Sequence, residues 1–430
     1  MEASEETASG SGCPHGKWQR LIPAGWVCVN DEETTANLDN PAVRAASRRP
    51  DFTQKLPYMY GICTRGGPVY ARLPSADMLK EHEPRLDKHL EKWRNDKESG
   101  AGYGLDVWLR YTDHKVPAAL EALEQKLTDD VPWFLDHGAL VPNVSGLVKS
   151  ADAVAIDQVA RRQGRSFAYS FLYEGRRYNV TPDLSVIPAD RFRPIRGSSF
   201  HGVEIGKDVD FPFALVRRQG ARKWQWHSDN ERMVDSGELE WRSAVGLTGK
   251  QRFYKDVLHY ETKDGFWVDD RHAGRIDPAK RWPKWAKNGE KWIDINVTKQ
   301  VLVAYEGTKG VFATLVSSGE AGLDDPGTST ATERGIFRIH TKYVSTTMDS
   351  QVIGEEFELR DVPFVQYFKE GYALHGAYWH DKFGQPKSHG CVNLAPDDAR
   401  RLFFWTEPQV PPGWQGAAKK LTGTVVFVHQ

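Results

Sequence analysis

The densest group of chemically reactive side chains in the sequence lies between residues 374 and 394. It contains three of the fourteen histidines, His375, His380 and His389, together with Cys391, the one cysteine outside the amino-terminal part of the chain. A free thiol is a weak nucleophile at neutral pH because its pKa is about 8.5. A neighbouring imidazole can accept the thiol proton, and this pairing is the general way to activate cysteine for acyl transfer. The pattern therefore predicts a cysteine nucleophile with a histidine base.

Two glycines in the same segment have positions that suit this chemistry. Gly390 lets the backbone approach closely, so that N–H groups near Cys391 can face a developing oxyanion. Gly376 follows His375 and allows a tight turn, whose carbonyl can hold the imidazole in one tautomer. The spacing thus predicts a small acyl-transfer site built on loops.

The segment resembles the catalytic motif of YkuD-type L,D-transpeptidases, in which His-Gly is followed after a loop by Ser-His-Gly-Cys. The matching residues are His375-Gly376 and Ser388-His389-Gly390-Cys391, with His375 sixteen residues before the cysteine. Three upstream segments are similar to other parts of the family pattern: Trp292-Ile-Asp-Ile-Asn-Val, Ser317-Ser318-Gly319 and Thr332-Glu-Arg-Gly335-Ile-Phe. The resemblance covers residues 290–430, about a third of the chain.

Two positions depart from the family pattern. Many members carry Arg two residues after the cysteine, where this chain has Asn393, and this difference concerns recognition of a substrate carboxylate. The Thr-Pro pair of the family is replaced here by Thr332-Glu333, a change within a loop.

The resemblance implies two-step acyl transfer on the stem peptides of peptidoglycan. Cys391 would form a thioester with release of D-alanine, and an amine acceptor would then take the acyl group. His375 would be the proton donor and acceptor, Gly376 would orient its ring, and the backbone at Gly390 would stabilise the oxyanion. The chemistry requires no metal or organic cofactor. The resemblance also implies a periplasmic or cell-envelope location, with an export segment expected upstream of this sequence.

Five further residues around the motif are candidate substrate contacts: Tyr378, Trp379, Ser388, His389 and Asn393. For Tyr378 and Trp379, packing in the interior is an equally open interpretation. For Ser388, a local hydrogen bond that holds the loop is an alternative role. His380 is interpreted as a partly exposed polar residue.

Other readings of the same residues remain open. A zinc site built from His375, His380, His389 and Cys391 is one, although structural zinc sites usually show paired ligand spacings and only one such spacing occurs here. A papain-like protease is another, but papain-like chains place the cysteine before the histidine. The remaining alternatives are a Cys-His hydrolase acting on peptidoglycan, as an L,D-carboxypeptidase or amidase, and a wall-binding scaffold with an inactive catalytic domain.

The elements that position these residues belong to a chain of 430 residues, a length that favours two or three domains. We expect a multidomain, mainly β protein: a flexible tail at 1–18, a mixed α/β region at 19–150, a β-rich, SH3-like module at 151–285 and the catalytic domain at 290–430. Periodic apolar positions predict helical runs from Pro74 to Trp93 and over 117–127, and a helix beginning at Pro396.

Composition excludes some classes of function. Lys plus Arg total 57 and Asp plus Glu total 58, so the chain lacks the basic surplus that nucleic-acid binding requires. No apolar run reaches the roughly 20 residues of a membrane-spanning helix. Cys13, Cys28 and Cys63 lie close enough in sequence for two of them to form a disulfide, or all three can be buried thiols. The sequence indicates no oligomeric state.

Overall fold

The computed structural model describes residues 2–30, 34–95, 129–279, 281–350, 357–419 and 421–430. Strands account for most of its regular structure and the helices are short, which confirms the prediction of a mainly β protein. None of the helices in these residues is long and apolar enough to cross a membrane. The predicted helix over 117–127 lies outside the described residues.

The described strands and helices are labelled in chain order. The strands are β1 (Glu2–Ala8), β2 (Lys17–Ile22), β3 (Trp26–Val29), β4 (Met59–Cys63), β5 (Gly67–Tyr70), β6 (Ala155–Val159), β7 (Gly164–Phe167), β8 (Tyr169–Tyr173), β9 (Arg176–Val180), β10 (Val186–Pro188), β11 (Phe192–Ile195), β12 (Val203–Glu204), β13 (Phe213–Val216), β14 (Arg222–His227), β15 (Arg232–Glu238), β16 (Ala244–Tyr254), β17 (Val257–Thr262), β18 (Trp267–Asp269), β19 (Ala273–Ile276), β20 (Lys291–Asn296), β21 (Val301–Glu306), β22 (Lys309–Leu315), β23 (Gly335–Arg338), β24 (Thr341–Ser350), β25 (Phe357–Lys369), β26 (Tyr372–Gly376), β27 (Val392–Leu394), β28 (Gly416–Ala418) and β29 (Val425–His429). The α-helices are α1 (Pro41–Ala45), α2 (Ala76–His82), α3 (Leu86–Arg94), α4 (Lys284–Lys287) and α5 (Pro396–Trp405). Short 3₁₀ helices span Trp133–Gly138, Ala189–Arg191 and Ser228–Asn230.

The chain forms two compact units that are not contiguous in sequence. The first unit comprises Met1–Arg196, Thr346–Asp361 and Pro411–Trp414. The second comprises Gly197–Ser345, Val362–Val410 and Gln415–Gln430. The chain passes from one unit to the other within the strands β24 and β25.

The first unit contains two sheets of its own. Strands β1, β2 and β3 form an antiparallel sheet, and a disulfide joins Cys13 to Cys28 beside it. Cys63 is a free, buried thiol, so the question of pairing among the three amino-terminal cysteines is answered. A five-stranded sheet has the order β6-β5-β10-β9-β8, and its buried face packs with residues that include Phe134, Phe171 and Tyr178.

The second unit contains two larger sheets. One has seven strands in the order β15-β14-β18-β17-β16-β13-β19, and the other has six in the order β12-β22-β21-β20-β29-β23. The sequence analysis expected a single β-rich module over 151–285. The structure differs, because the unit boundary falls at Arg196/Gly197 and β6 to β11 belong to other sheets than β13 to β19. Alternating apolar residues predicted the strands in both parts but contain no information about which strands pair.

The six-stranded sheet forms the frame of the carboxy-terminal region. Its central strand β20 pairs antiparallel with β21 and parallel with the last strand of the chain, β29, where Trp292 lies opposite Val425. The buried core on this sheet includes Trp292, Tyr305 and Leu315, together with Ala377 and Phe383 from the loop that carries the reactive residues. The core therefore connects the sheet directly to that loop.

Of the two helix predictions that fall on described residues, one is confirmed and one is corrected. Helix α5 begins at Pro396, as expected from proline at its first position and from Asp397 and Asp398 in its first turn. The run from Pro74 to Trp93 is not one helix, because α2 ends at His82 and α3 starts at Leu86. Pro84 lies between them, and proline cannot continue an α-helix without losing a backbone hydrogen bond.

Candidate active site

His375 and Cys391 are placed by two short neighbouring strands. Strand β26 pairs antiparallel with β25 and parallel with β27, where Leu374 lies opposite Val392 and His375 opposite Asn393. Cys391 directly precedes β27. If the register of the pair is continued by one residue, Cys391 lies opposite Ala373. Because side chains alternate along a strand, His375 and Cys391 share one face, with Cα atoms roughly 8 Å apart along the diagonal of the pair. An imidazole can span this separation to reach a thiol.

The loop between the two strands is fastened by the hydroxyl of Ser388. Its Oγ donates to the carbonyl of Cys391 and accepts from the N–H of Gly390 at 3.1 Å. Its backbone N–H donates to the carbonyl of Ser318 at 3.1 Å. Ser388 is 5% exposed. These bonds fix the backbone on both sides of the thiol, so Ser388 holds the loop and does not contact solvent.

Gly390 occupies a position that only glycine accepts without strain. Its φ of +123° lies outside the range of L side chains, and an added Cβ would lie 3.0 Å from the ring of Tyr372. Its carbonyl accepts from Oγ1 of Thr332 at 2.8 Å, and the same Oγ1 accepts from the N–H of Gly319 at 2.8 Å. Thr332 thus connects the two segments that the sequence analysis matched upstream of the motif.

The N–H of Gly390 already donates to Ser388, so it is not available to an oxyanion in this conformation. The role of the backbone at Gly390 in stabilising an oxyanion therefore stays a prediction. Among the hydrogen bonds of the described residues, none uses the backbone N–H of Cys391.

Burial disfavours the charged forms of both His375 and Cys391. His375 is 2% exposed, and desolvation lowers its pKa to about 4, although the backbone of Gly376 acts in the opposite direction. Nδ1 of His375 makes no hydrogen bond of standard geometry with any described residue. Burial raises the pKa of the Cys391 thiol to about 11, opposed by the backbone N–H of Ala373. At neutral pH both shifts favour a neutral thiol and a neutral imidazole.

The thiol and the imidazole are near each other but not bonded. Sγ of Cys391 donates to the carbonyl of Gly371 at 3.7 Å, and no hydrogen bond joins it to His375 in the described part of the chain. Such contacts are often long in the absence of substrate and tighten when it binds. The arrangement suits a histidine that removes the thiol proton during attack on a carbonyl.

The comparison with protein families decides the identity of this region. The sequence of residues 290–428 matches the family described as L,D-transpeptidase catalytic domain, YkuD. Residues 290–428 are a YkuD-type L,D-transpeptidase catalytic domain. We call them the transpeptidase domain. No curated protein matches the chain.

Several solved structures are similar to part of the chain. An L,D-transpeptidase of Enterococcus faecium is 22% identical over 33% of this chain and 50% of its own, with a TM-score of 0.26. One from Stackebrandtia nassauensis is 27% identical over 36% and 58%, with a TM-score of 0.23. One from Mycobacterium smegmatis is 19% identical over 42% and 77%, with a TM-score of 0.26. The chain thus spans half the length of the E. faecium structure.

The transpeptidase domain includes a residue, His380, to which the sequence analysis gave no role in the acyl-transfer site. Nε2 of His380 lies 2.8 Å from the side-chain amide of Asn393, and its Nδ1 accepts from the N–H of Lys382 at 3.2 Å. Burial and the nearby His375 lower the pKa of His380 to about 4. His380 is therefore a neutral residue that joins the loop to β27. The signal in the sequence that could have pointed to His380 is its position five residues after His375, in a short loop.

The candidate substrate contacts fall into different environments. Tyr378 is 2% exposed, and Asn393 is 2% exposed with its amide against His380, so both are interior residues in this conformation. The roles of these two residues and of Ser388 as substrate contacts stay predictions. Trp379 is partly buried, and its ring centroid lies 5.6 Å from that of His375. His389 is exposed next to the thiol and remains a predicted substrate contact.

The alternative of a zinc site is not supported by the side-chain positions. Within the described residues, no three His, Cys, Asp or Glu side chains come together in a way that could hold a metal ion. His380 instead bonds to Asn393, and the side chain of His389 is exposed.

Proposed function

We propose that the transpeptidase domain catalyses acyl transfer between peptidoglycan stem peptides, with Cys391 as nucleophile and His375 as general base. The observation that carries this proposal is the pairing of β26 with β27, which puts both side chains on one face of the pair. The family match over residues 290–428 supports the reaction class. The only other free thiol, Cys63, is buried in the first unit and has no histidine in such a register.

The first step is attack of Cys391 on the amide that joins the third residue of a stem to its terminal D-alanine. His375 takes the thiol proton as the S–C bond forms, and the N–H of Cys391 donates to the new oxyanion. The tetrahedral intermediate then collapses, the C–N bond breaks, and the imidazolium of His375 gives its proton to the leaving amine. The products are a thioester on Cys391 and free D-alanine.

In the second step, the acyl group passes from Cys391 to an acceptor. The amine of a second stem attacks the thioester carbonyl, and His375 takes a proton from this amine. When the C–S bond breaks, the proton passes to the sulfur and restores the thiol. If water takes the place of the amine, the same machinery is an L,D-carboxypeptidase, so only the acceptor distinguishes the transferase from the hydrolase.

The pKa values of Cys391 and His375 indicate at which point of the reaction the thiol loses its proton. Transfer of a proton from a thiol of pKa about 11 to an imidazole of pKa about 4 is uphill. The thiolate therefore does not accumulate before substrate binds, and proton removal accompanies attack. The position of Trp379 favours the same interpretation, because an indole whose centroid lies 5.6 Å from that of the imidazole covers part of the ring against water.

The test is acylation by a carbapenem, read by intact mass. We expect a single adduct on the wild-type protein and on Cys63→Ala, and none on Cys391→Ala. Cys63→Ala is the matched control because it removes the other free thiol. The same assay with a penicillin shows whether acylation is selective for carbapenems. Incubation with tetrapeptide stems, with and without an amine acceptor, then distinguishes crosslinking from hydrolysis. A folded, reduced protein that forms no adduct would refute the proposal in favour of an inactive scaffold.

We also propose a cell-envelope location. The Cys13–Cys28 disulfide supports it, because disulfides persist in oxidising compartments and are rare in the cytoplasm. The check is thiol trapping in intact source cells, in which only Cys63 and Cys391 should react after denaturation. Four reactive cysteines would contradict the proposed location.

A further inference from the structure

His380 belongs to a closed ring of hydrogen bonds that also includes Ser317, Lys382 and Asn393. Oγ of Ser317, a fully buried residue just after β22, donates to the carbonyl of Lys382 at 2.9 Å. The N–H of Lys382 donates to Nδ1 of His380 at 3.2 Å, and Nε2 of His380 lies 2.8 Å from the side-chain amide of Asn393. Two backbone hydrogen bonds of 2.9 Å then join Asn393 to Ser317. The ring therefore fixes the imidazole of His380 and the amide of Asn393 to the same buried backbone.

The tautomer of His380 follows from these contacts. Burial lowers its pKa to about 4, so the imidazole is neutral at pH 7 and carries a single N–H. Because Nδ1 accepts from the N–H of Lys382, the proton is on Nε2. Nε2 is therefore a donor, and the atom of Asn393 that faces it has to be an acceptor.

This tautomer determines the orientation of the Asn393 amide. The oxygen and the nitrogen of an asparagine amide are similar in size, and hydrogen bonds decide which atom takes which place. With Nδ2 toward His380, two donors would face each other, and Oδ1 would be buried without a partner among the described residues. With Oδ1 toward His380 the bond is made, and the NH2 group takes the other place. The contacts of His380 thus favour an NH2 group that points away from it.

The pairing of β26 with β27 shows which part of the site lies beside this amide. Asn393 is opposite His375, and the side chain of Cys391, two residues earlier, is on the same face. Neighbouring strands are about 4.8 Å apart, so the amide lies next to the imidazole of His375. Both residues are 2% exposed, so a substrate that reaches this imidazole also reaches the amide. A buried donor without a partner is unfavourable, which points to a ligand oxygen that completes it.

We propose that His380 is a positioning residue that turns the NH2 group of Asn393 toward the carboxylate of the leaving D-alanine. This inference rests on the proposed function, because it concerns the donor substrate of the same site. His375 gives its proton to the amine of the leaving residue, and the carboxylate of that residue is attached to the same carbon as the amine. A donor beside the imidazole therefore lies where this carboxylate has to be. Asn393 then selects donor stems that end in a free carboxylate.

The first measurement determines the tautomer of His380 without the use of activity. In full-length protein labelled with ¹⁵N-histidine, the nitrogen chemical shifts of His380 should show Nε2 protonated and Nδ1 unprotonated at pH 7. His380→Gln assigns the signals. Protonation of Nδ1 alone would overturn the inference, because the amide of Asn393 would then present its oxygen to the site.

The second measurement compares two donors, a tetrapeptide stem with a free terminal carboxylate and the same stem ending in D-alaninamide. We expect the wild type to prefer the free acid, and Asn393→Ala to lower the acid-to-amide ratio of kcat/KM roughly tenfold, because it removes a charge-assisted hydrogen bond. His380→Phe should lower the ratio in the same way. His380→Gln, whose side chain can donate to Oδ1 of Asn393, should restore most of it. The control His227→Phe, at an exposed histidine of β14, should leave the ratio unchanged.

The outcomes separate this inference from the proposed reaction. A wild type that releases D-alanine without preferring the free acid, or a preference that Asn393→Ala and His380→Phe leave unchanged, overturns the inference alone. A folded wild type that releases no D-alanine and forms no carbapenem adduct overturns both. Circular dichroism and thermal unfolding show which variants retain the fold, and the tautomer measurement on the wild type does not depend on any of them.

Discussion

Desolvation is the largest cause of the pKa shifts of His375, His380 and Cys391 in the candidate active site. Motif spacing predicted Cys391 and His375, because reactive residue types at fixed intervals are visible in a sequence. Their charge states could not be predicted in this way, since burial depends on residues far away in the chain, such as Trp292 and Tyr305 in the core that also contains Ala377. Burial raises the pKa of Cys391 to about 11 and lowers the pKa of His375 to about 4, and both shifts favour the uncharged forms.

This neutral pair predicts the pH dependence of thiol reactivity. Because burial raises the pKa of Cys391 to about 11, its rate of alkylation by iodoacetamide should rise with pH up to at least pH 10 without a plateau near neutrality. The measurement is the pH–rate profile of Cys63→Ala, in which Cys391 is the single free thiol. A plateau below pH 8 would instead indicate a resting thiolate paired with His375.

A second prediction at the residue scale concerns Asp398 in the first turn of α5. Its carboxylate accepts from the N–H of Gly202 at 2.9 Å and from Thr314, but burial raises its pKa to about 6. A raised pKa means that the carboxyl stabilises the fold below about pH 4 and that this stabilisation is lost as pH rises through 6. Asp398→Asn should therefore raise the free energy of unfolding at pH 8 by roughly 1–3 kcal/mol, since one pKa unit corresponds to about 1.4 kcal/mol.

The measurement is denaturant unfolding of Asp398→Asn and wild type between pH 4 and pH 8. The gain should vanish at pH 4, where the wild-type carboxyl is protonated. Asp397→Asn is the control, because Asp397 is the neighbouring and more exposed acid of the same helix turn. A gain that is equal at pH 4 and pH 8 would show that the effect is not due to titration of Asp398.

At the scale of elements, the sequence predicted most of the local structure of the transpeptidase domain. Strands β20 and β21, the strand at the end of the chain and helix α5 follow from alternation and from capping residues, with bounds that differ by a few residues. The pairing of β20 with β29 could not be predicted, because Trp292 and Val425 are far apart in sequence. The short strands β26 and β27 were also missed as strands, since runs of five and three residues are too short to show an alternating pattern.

Thr332 provides a prediction at this scale, because its hydroxyl joins the loop after β22 to the loop before β27. Thr332→Val keeps the shape but leaves the buried N–H of Gly319 and carbonyl of Gly390 without their partner. An unpaired buried polar group costs about 1–3 kcal/mol, so the free energy of unfolding should fall by at least about 1 kcal/mol. The carbapenem acylation rate should fall roughly tenfold, because the backbone before Cys391 loses an anchor.

Two variants of the same loop test this role. Thr332→Ser retains the hydroxyl and should restore most of the rate and stability. Thr330→Val removes a more exposed hydroxyl, which accepts from the N–H of Ala321, and should have a small effect. If Thr332→Val acylates and unfolds like wild type, the hydroxyl bridge does not position the thiol.

At the scale of the whole molecule, the division into two discontinuous units is the feature that sequence patterns could not reveal. Composition and length correctly indicated several domains, but domain limits were drawn as continuous segments. The first unit includes Thr346–Asp361 and Pro411–Trp414, which the sequence analysis placed within the catalytic domain. These residues pair with strands formed hundreds of positions earlier, as when Leu359 lies opposite Gly164.

The Cys13–Cys28 disulfide provides a prediction at this scale. It links residues fifteen positions apart, and closing a loop of this size stabilises a fold by about 3 kcal/mol. Reduction should therefore increase proteolysis of the sheet formed by β1, β2 and β3, while carbapenem acylation of Cys391 in the other unit continues. The double variant Cys13→Ser, Cys28→Ser should match the reduced wild type, and loss of acylation on reduction would show that the disulfide affects the transpeptidase domain.

Segments of the two units alternate along the sequence, and this affects the order in which the units can fold during synthesis. A domain made of one continuous segment can fold while the ribosome is still producing the next one. The first unit cannot be completed in this way, because Thr346–Asp361 and Pro411–Trp414 are made only after long segments of the second unit. Strand β7 pairs with β4 early, but its other edge stays open until β25 has been made. A nascent chain of this protein is therefore expected to depend on chaperones that shield this open sheet edge until the later segments have been synthesised.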